Sequence, residues 1–140
     1  MVDLNTLYED LRKQQVALYP YDVGNEKSVT IELNNKFAIF LDPFRVESIQ
    51  EMKYILAHEI GHCATGCTHK VCSPLDIVQR HEHKANRWAI ERYLPLENIN
   101  AAIRQGYTEP WQLADYFDLP EGFVQTAIKH YANARQMVIG

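Results

Sequence analysis

The pentapeptide His58-Glu-Ile-Gly-His62 constrains the fold of this chain more than any other stretch. In an α-helix, positions i and i+4 lie about 40° apart around the axis and roughly 6 Å apart along it. A helix here would turn His58 and His62 to one side, where their imidazole nitrogens can bind a single metal ion. Glu59 would lie about 100° from His58, within reach of a water on that ion. Two neutral nitrogen ligands beside a carboxylate base are typical of a hydrolytic zinc centre.

The residues before the pentapeptide predict the helix that this arrangement needs. Ser48 followed by Glu51 is a capping-box pattern, which marks a helix start. Apolar side chains then recur with helical spacing on an arc separate from the histidines. The members of this arc are Met52, Leu56, Ile60 and Cys63, with Ile55 at its edge. Two structural histidines on a helix remain the alternative until a further ligand is found.

A second helix, predicted from Pro74 to about Leu94, offers the third protein ligand that a catalytic zinc usually has. His81, Glu82 and His83 are the consecutive candidates. Glu82 falls on the face predicted to turn inward, and the two histidines point about 100° to either side. An unpaired carboxylate on an apolar face is costly, which favours Glu82 as a ligand over a solvated side chain. The other members of that face are Leu75, Val78, Ala85, Ala89 and Tyr93.

Asn86 lies one helical turn after Glu82. Its amide could hydrogen-bond the back nitrogen of a ligand histidine, which would fix the tautomer and orientation of that imidazole. The alternative is an ordinary amide on the helix surface.

These motifs together resemble those of the ImmA/IrrE-type metallopeptidases, zinc-dependent proteins common in bacterial mobile elements and phages. The resemblance rests on the pentapeptide, then Glu82-x-x-Ala85-Asn86-x-Trp88-Ala89, then Tyr93-Leu94-Pro95. It covers the chain from about Val29 to Tyr131. It implies a zincin-like fold in which His58, His62 and Glu82 bind Zn²⁺ and Glu59 is the catalytic base. Several related peptidases carry an acid four residues after the third ligand, where this chain has Asn86.

The resemblance also implies a substrate. Family members studied as regulators cleave helix-turn-helix repressors and so switch on genes of a mobile element or a stress response. We therefore expect a zinc-dependent endopeptidase that cleaves a repressor-type regulator. Two alternatives are a metal-binding regulatory module that sequesters a repressor or antirepressor without cutting it, and a DNA-binding protein that uses the C-terminal helices. Manganese or iron could also occupy the same ligands.

The predicted fold is α+β, mostly helical with a small antiparallel hairpin, in one domain covering residues 1–140. An N-terminal helix from Leu4 to about Tyr19 and a hairpin around Asn34-Asn35 make up residues 1–45. The two helices of the metal motif occupy residues 48–95. Residues 96–135 are predicted to form three short helices, Leu96–Arg104, Thr108–Phe117 with Thr108 as the cap, and Pro120 to about Tyr131.

The hairpin has two possible roles. An edge strand beside the metal commonly holds the substrate of a zinc peptidase in extended form by backbone pairing. We expect one strand of this hairpin to do so, and a hairpin that merely covers the core is the alternative.

Composition is typical of a compact enzyme of the cytoplasm. The 140 residues are 46% hydrophobic and carry a net charge of −4, which does not suggest a broad basic surface for nucleic acid. From residue 108 onward four acids face two bases, which opposes phosphate binding by the C-terminal helices. Neither a membrane span nor a signal peptide is expected.

Two further questions stay open in the sequence. Cys63, Cys67 and Cys72, with His69 among them, could form a second zinc site, but they lack the Cys-x-x-Cys pair that is typical of one. Cys63 is instead predicted to lie in the core. The donor that would assist the metal in stabilising an oxyanion is not determined either. The candidates are Tyr54, Tyr107, Tyr116, His69 and His130.

Overall fold

The computed structural model describes residues 3–24, 26–34, 36–66 and 75–135. These residues form a mostly helical α+β fold with one small sheet, as predicted. The elements in chain order are α1 (Leu4–Lys13), β1 (Ala17–Pro20), β2 (Ser28–Leu33), β3 (Lys36–Leu41), α2 (Ile49–Thr65), α3 (Leu75–Tyr93), α4 (Leu96–Arg104), α5 (Pro110–Phe117) and α6 (Glu121–Arg135).

The sheet is mixed and three-stranded, in the order β1-β3-β2. β2 and β3 form the predicted antiparallel hairpin, and Asn34 in its turn has a left-handed φ of +54°. β1 adds to the other side of β3 in parallel, a third strand that the sequence did not predict. Because β3 takes the central position, β2 is left at an edge of the sheet.

The prediction that the first helix continues to about Tyr19 is also wrong. α1 ends at Lys13, and Gln15 has a φ of +56°, which an α-helix does not contain. The next residues pair with β3, and their backbone hydrogen bonds outweigh the imperfect helical spacing of Val16 and Leu18. The pairing partner lies about twenty residues later in the chain, so a local pattern could not reveal it.

Helix α2 begins and packs as predicted. The Ser48 side chain accepts a hydrogen bond of 3.0 Å from the backbone N–H of Glu51, and Gly66 ends the helix in the left-handed conformation. Leu56 and Ile60 are fully buried, and Cys63 is buried beside them. The apolar side of α2 thus forms the centre of the core.

Helices α2 and α3 come unusually close at Gly61. A Cβ atom at this position would clash with the backbone carbonyl oxygen of Ala85 on α3. Ala85 and Ala89 are themselves fully buried. These small residues allow α3 to lie directly against α2, the helix that carries the histidines. The contact at Ala85 lies one helical turn after Glu82.

The remaining helices close the core. α4 has the predicted bounds, and α5 begins one residue later than expected, with Glu109 rather than Thr108 as its N-cap. The Gln112 side chain accepts hydrogen bonds of 3.0 Å from the backbone N–H groups of Thr108 and Glu109. The capping box is thus formed with Glu109 as the N-cap. Among the helices described, none combines the length and apolar character that crossing a membrane requires.

Candidate metal centre

Three side chains from α2 and α3 converge on one point. Glu82 Oε2 lies 2.7 Å from His58 Nε2, and Glu82 Oε1 lies 3.1 Å from His62 Nε2. The two Nε2 atoms are 3.2 Å apart. Lone pairs of nitrogen and oxygen approach this closely only when a cation, either a proton or a metal ion, is shared between them. His58, His62 and Glu82 could therefore hold a metal ion.

Asn86 fixes the orientation of one imidazole. Its side-chain Oδ1 lies 2.7 Å from His58 Nδ1. An amide oxygen only accepts, so Nδ1 carries a proton and donates it in this hydrogen bond. Nε2, the atom that faces Glu82, is then the nitrogen that can bind a metal, once it gives up the proton that it shares with the Glu82 carboxylate. The donor set thus fits a divalent cation in chemistry as well as in position.

Glu82 and His58 shift each other's pKa values. Hydrogen bonds from His58 and His62 hold the pKa of Glu82 far below its usual range. Burial acts to lower the pKa of His58, but its hydrogen bond to Glu82 and the charge of that carboxylate outweigh burial and raise it. The carboxylate is therefore ionised at neutral pH and attracts a cation to the imidazoles.

Glu59 is buried beside this cluster without belonging to it. Its Oε2 accepts a hydrogen bond of 2.7 Å from the Ser28 hydroxyl, at the start of the edge strand β2. The sequence did not reveal Ser28, because it lies 31 residues from its partner Glu59. A polar residue bounding an edge strand is too common a feature to identify it.

A cleft of about 390 Å³ opens on the cluster. Helices α2 and α3 form one wall, and the beginning of β2 forms the other. The Thr30 hydroxyl is buried in this wall and has no hydrogen-bond partner within the chain as described. The residues of the cleft are Glu26, Ser28, Val29, Thr30, His58, Glu59, His62 and Glu82.

The candidates for an oxyanion donor are separated by the fold. The ring of Tyr54 stacks against His58, with 6.0 Å between the ring centroids. Burial first, and then the charges of Glu82 and Glu59, raise the pKa of Tyr54, so its hydroxyl keeps its proton. Tyr107 and Tyr116 pack against each other, with 4.7 Å between their ring centroids. His130 is hydrogen-bonded to Glu91. Tyr54 is thus placed beside His58, and His69 lies outside the described residues.

The other candidate ligands are not part of the cluster. His83 is exposed on α3, and His81 is partly buried. Burial raises the pKa of the Cys63 thiol to about 12, so it is a protonated core side chain. Cys67 and Cys72, the remaining members of the possible second zinc site, lie outside the described residues.

Comparison with protein-family models, curated proteins and solved structures found no match to this chain. The geometry of the cluster and its cleft is therefore the basis for a functional assignment.

Proposed function

We propose that this chain is a zinc-dependent endopeptidase. The observation that carries the proposal is the convergence of His58, His62 and Glu82, with the Glu59 carboxylate beside them. Two imidazoles and one carboxylate leave a fourth position open, as in catalytic rather than structural zinc sites. When bound there, zinc supplies Lewis acidity, which lowers the pKa of a coordinated water and polarises a carbonyl group. The resemblance to the ImmA/IrrE-type peptidases supports the same assignment.

The protein's own residues divide the remaining work. Glu59 accepts the proton of the attacking water and passes it to the amine that leaves. Ser28 holds that carboxylate from the opposite wall of the cleft through its 2.7 Å hydrogen bond. Asn86 keeps His58 in the tautomer that a metal ligand needs.

The edge strand β2 supports an extended peptide as the substrate. The carbonyl of Lys27 accepts a hydrogen bond from the N–H of Asp42 on the β3 side. With the register of the pair, the odd-numbered residues of β2 therefore direct their backbone N–H and C=O groups toward β3. In an antiparallel pair the intervening residues direct their backbone groups away from the partner strand. Ser28 and Thr30 therefore direct their backbone N–H and C=O groups outward, at the edge that borders the cleft. A substrate segment pairing there would pass in front of Glu59.

We further propose that the substrate is a helix-turn-helix repressor of a mobile element or phage, acting in the cytoplasm. The identity of the substrate rests on the family resemblance. The proposed pairing with β2 involves only the substrate's backbone and does not select a particular protein. The mechanism does not depend on that identity.

The test compares the wild type with Glu59→Gln, using helix-turn-helix repressors from the same genome as candidate substrates. The wild type with zinc is expected to cleave one of them, a chelator to stop cleavage, and added zinc to restore it. Glu59→Gln is expected to bind zinc as tightly as the wild type, because Glu59 is not a ligand, while cleavage falls by at least about a hundredfold. Calorimetric titration measures the first property and gel analysis of the products the second.

Two results would contradict the proposal. Equal cleavage by both proteins would show that Glu59 is not the base. Stable binding of a repressor without cleavage by the zinc-loaded wild type would identify a sequestering module instead.

A further inference from the structure

A second groove lies between α3 and α6, on the other side of Asn86 from the metal ligands. Its volume is about 420 Å³, within the range of sites that bind small organic molecules. Each wall contributes two basic side chains, His83 and Arg87 from α3, and Lys129 and His130 from α6. This concentration of basic groups is notable in a chain whose net charge is −4.

Among the residues that the structure describes, the two strongest bases of the groove have no ion-pair partner. Within the residues described, the side chains of Arg87 and Lys129 form neither an ion pair nor a hydrogen bond. The neighbouring acid, Glu91, is bonded to His130 at 3.2 Å. Like charges that face each other across a groove repel, and a bound anion would remove that repulsion.

We propose that this groove binds a small phosphate ester. The planar guanidinium of Arg87 can make two parallel hydrogen bonds to a phosphate, and Lys129 adds a point charge from the opposite wall. The groove is larger than a bare phosphate ion requires, and buried Ile90 lines it beside the Asn86 amide. These features accommodate a compact organic body next to the phosphate.

The position of the groove links it to the metal centre. Asn86 lines the groove and also accepts the hydrogen bond from His58. A ligand there would contact the amide that orients a metal ligand. The binding itself does not depend on the proposed peptidase activity.

Binding is tested by isothermal titration of the full chain with adenosine monophosphate and with ribose 5-phosphate, and with adenosine as the uncharged counterpart. Both phosphate esters are expected to bind at one saturable site, and adenosine is not. The double variant Arg87→Gln, Lys129→Gln is expected to weaken binding about tenfold or more, because it removes two charge-assisted contacts. Circular dichroism checks that the variant folds.

The matched control is the double variant Lys36→Gln, Arg104→Gln, which removes one lysine and one arginine charge from exposed positions on β3 and α4, outside the groove. It is expected to bind within about twofold of the wild type, since distant surface charges are screened. Equal weakening by both double variants would show non-specific attraction and overturn the proposal. The proposal would also be overturned if neither ester bound at a saturable site. Binding of a polyglutamate peptide but of neither ester would overturn it as well, because the groove would then be a contact site for acidic protein segments.

Discussion

Two side chains of the site, His58 and Glu59, are each held by a partner on a different element. His58 on α2 is bonded to Asn86 on α3, and Glu59 on α2 is bonded to Ser28 on β2. A helix fixes the direction in which a side chain leaves the backbone, but its outer torsions remain free. The partners from α3 and β2 remove that freedom, so the imidazole and the carboxylate are oriented before any ligand arrives.

Replacing Asn86 tests this orientation at a single residue. Asn86→Ala removes the acceptor from His58 Nδ1 at 2.7 Å. We expect zinc affinity to fall by about 10- to 100-fold, because the imidazole is no longer held in the required tautomer. Competition with a chromophoric chelator measures the affinity. Asn98→Ala, at an exposed amide on α4, is the control and is expected to bind zinc normally. An unchanged affinity in Asn86→Ala would show that the hydrogen bond does not matter for the metal.

Among the elements, the crossing of α2 and α3 determines whether His58, His62 and Glu82 can meet. The sequence predicted which face of each helix carries ligands, because helical spacing is a local property. It did not predict Gly61 as the contact point, since that depends on which residue of α3 lies opposite. The backbone of Ala85 occupies the space that any larger side chain at position 61 would need.

Gly61→Ala is therefore expected to separate the two helices. The added methyl group would clash with the Ala85 carbonyl, and we expect a loss of about 1–3 kcal/mol in the free energy of unfolding, as for other overpacked sites. Glu82 would move with α3, so zinc affinity is expected to fall as well. Urea unfolding and zinc titration measure the two effects.

The control uses another helical glycine. A Cβ at Gly122 in α6 would meet no atom within 4 Å, so Gly122→Ala is expected to leave stability unchanged or slightly higher. Equal stability of the two alanine variants would contradict the close crossing inferred for Gly61.

Across the whole molecule, the sequence predicted features that local patterns encode. Ser48 marked the start of α2, and residues 96 to 104 formed the expected helix. The strand Ala17–Pro20 was missed because only its pairing with β3 makes it a strand. The Ser28–Glu59 hydrogen bond was missed because it, too, joins residues that are far apart in the chain. The convergence of His58, His62 and Glu82 was predictable because the two short helical motifs specify the faces, even though the crossing itself was not.

The N-terminal helix is joined to α3 by a buried carboxylate. Asp10 is 6% exposed and accepts hydrogen bonds from Arg92, at 2.9 and 3.2 Å, and from the Tyr93 hydroxyl, at 2.6 Å. Burial alone would raise the pKa of Asp10, but these bonds outweigh burial and lower it. A carboxyl whose pKa is lower in the folded state stabilises the fold above its ordinary pKa, and this contribution disappears as the pH falls through the folded-state pKa.

Asp10→Asn should therefore show a pH-dependent loss of stability. At pH 7 we expect the free energy of unfolding to fall by about 1–2 kcal/mol. The amide can still accept the hydrogen bond from Tyr93, but it loses the charge that pairs with Arg92. Because the Arg92 side chain is half exposed, solvent screens part of that ion pair. The difference from the wild type should narrow below about pH 4, where the unfolded carboxyl gains its proton. Urea unfolding from pH 7 to pH 3 measures it, with Asp115→Asn as the exposed control. A difference that stays constant down to pH 3 would show that the charge of Asp10 does not hold α1 against α3.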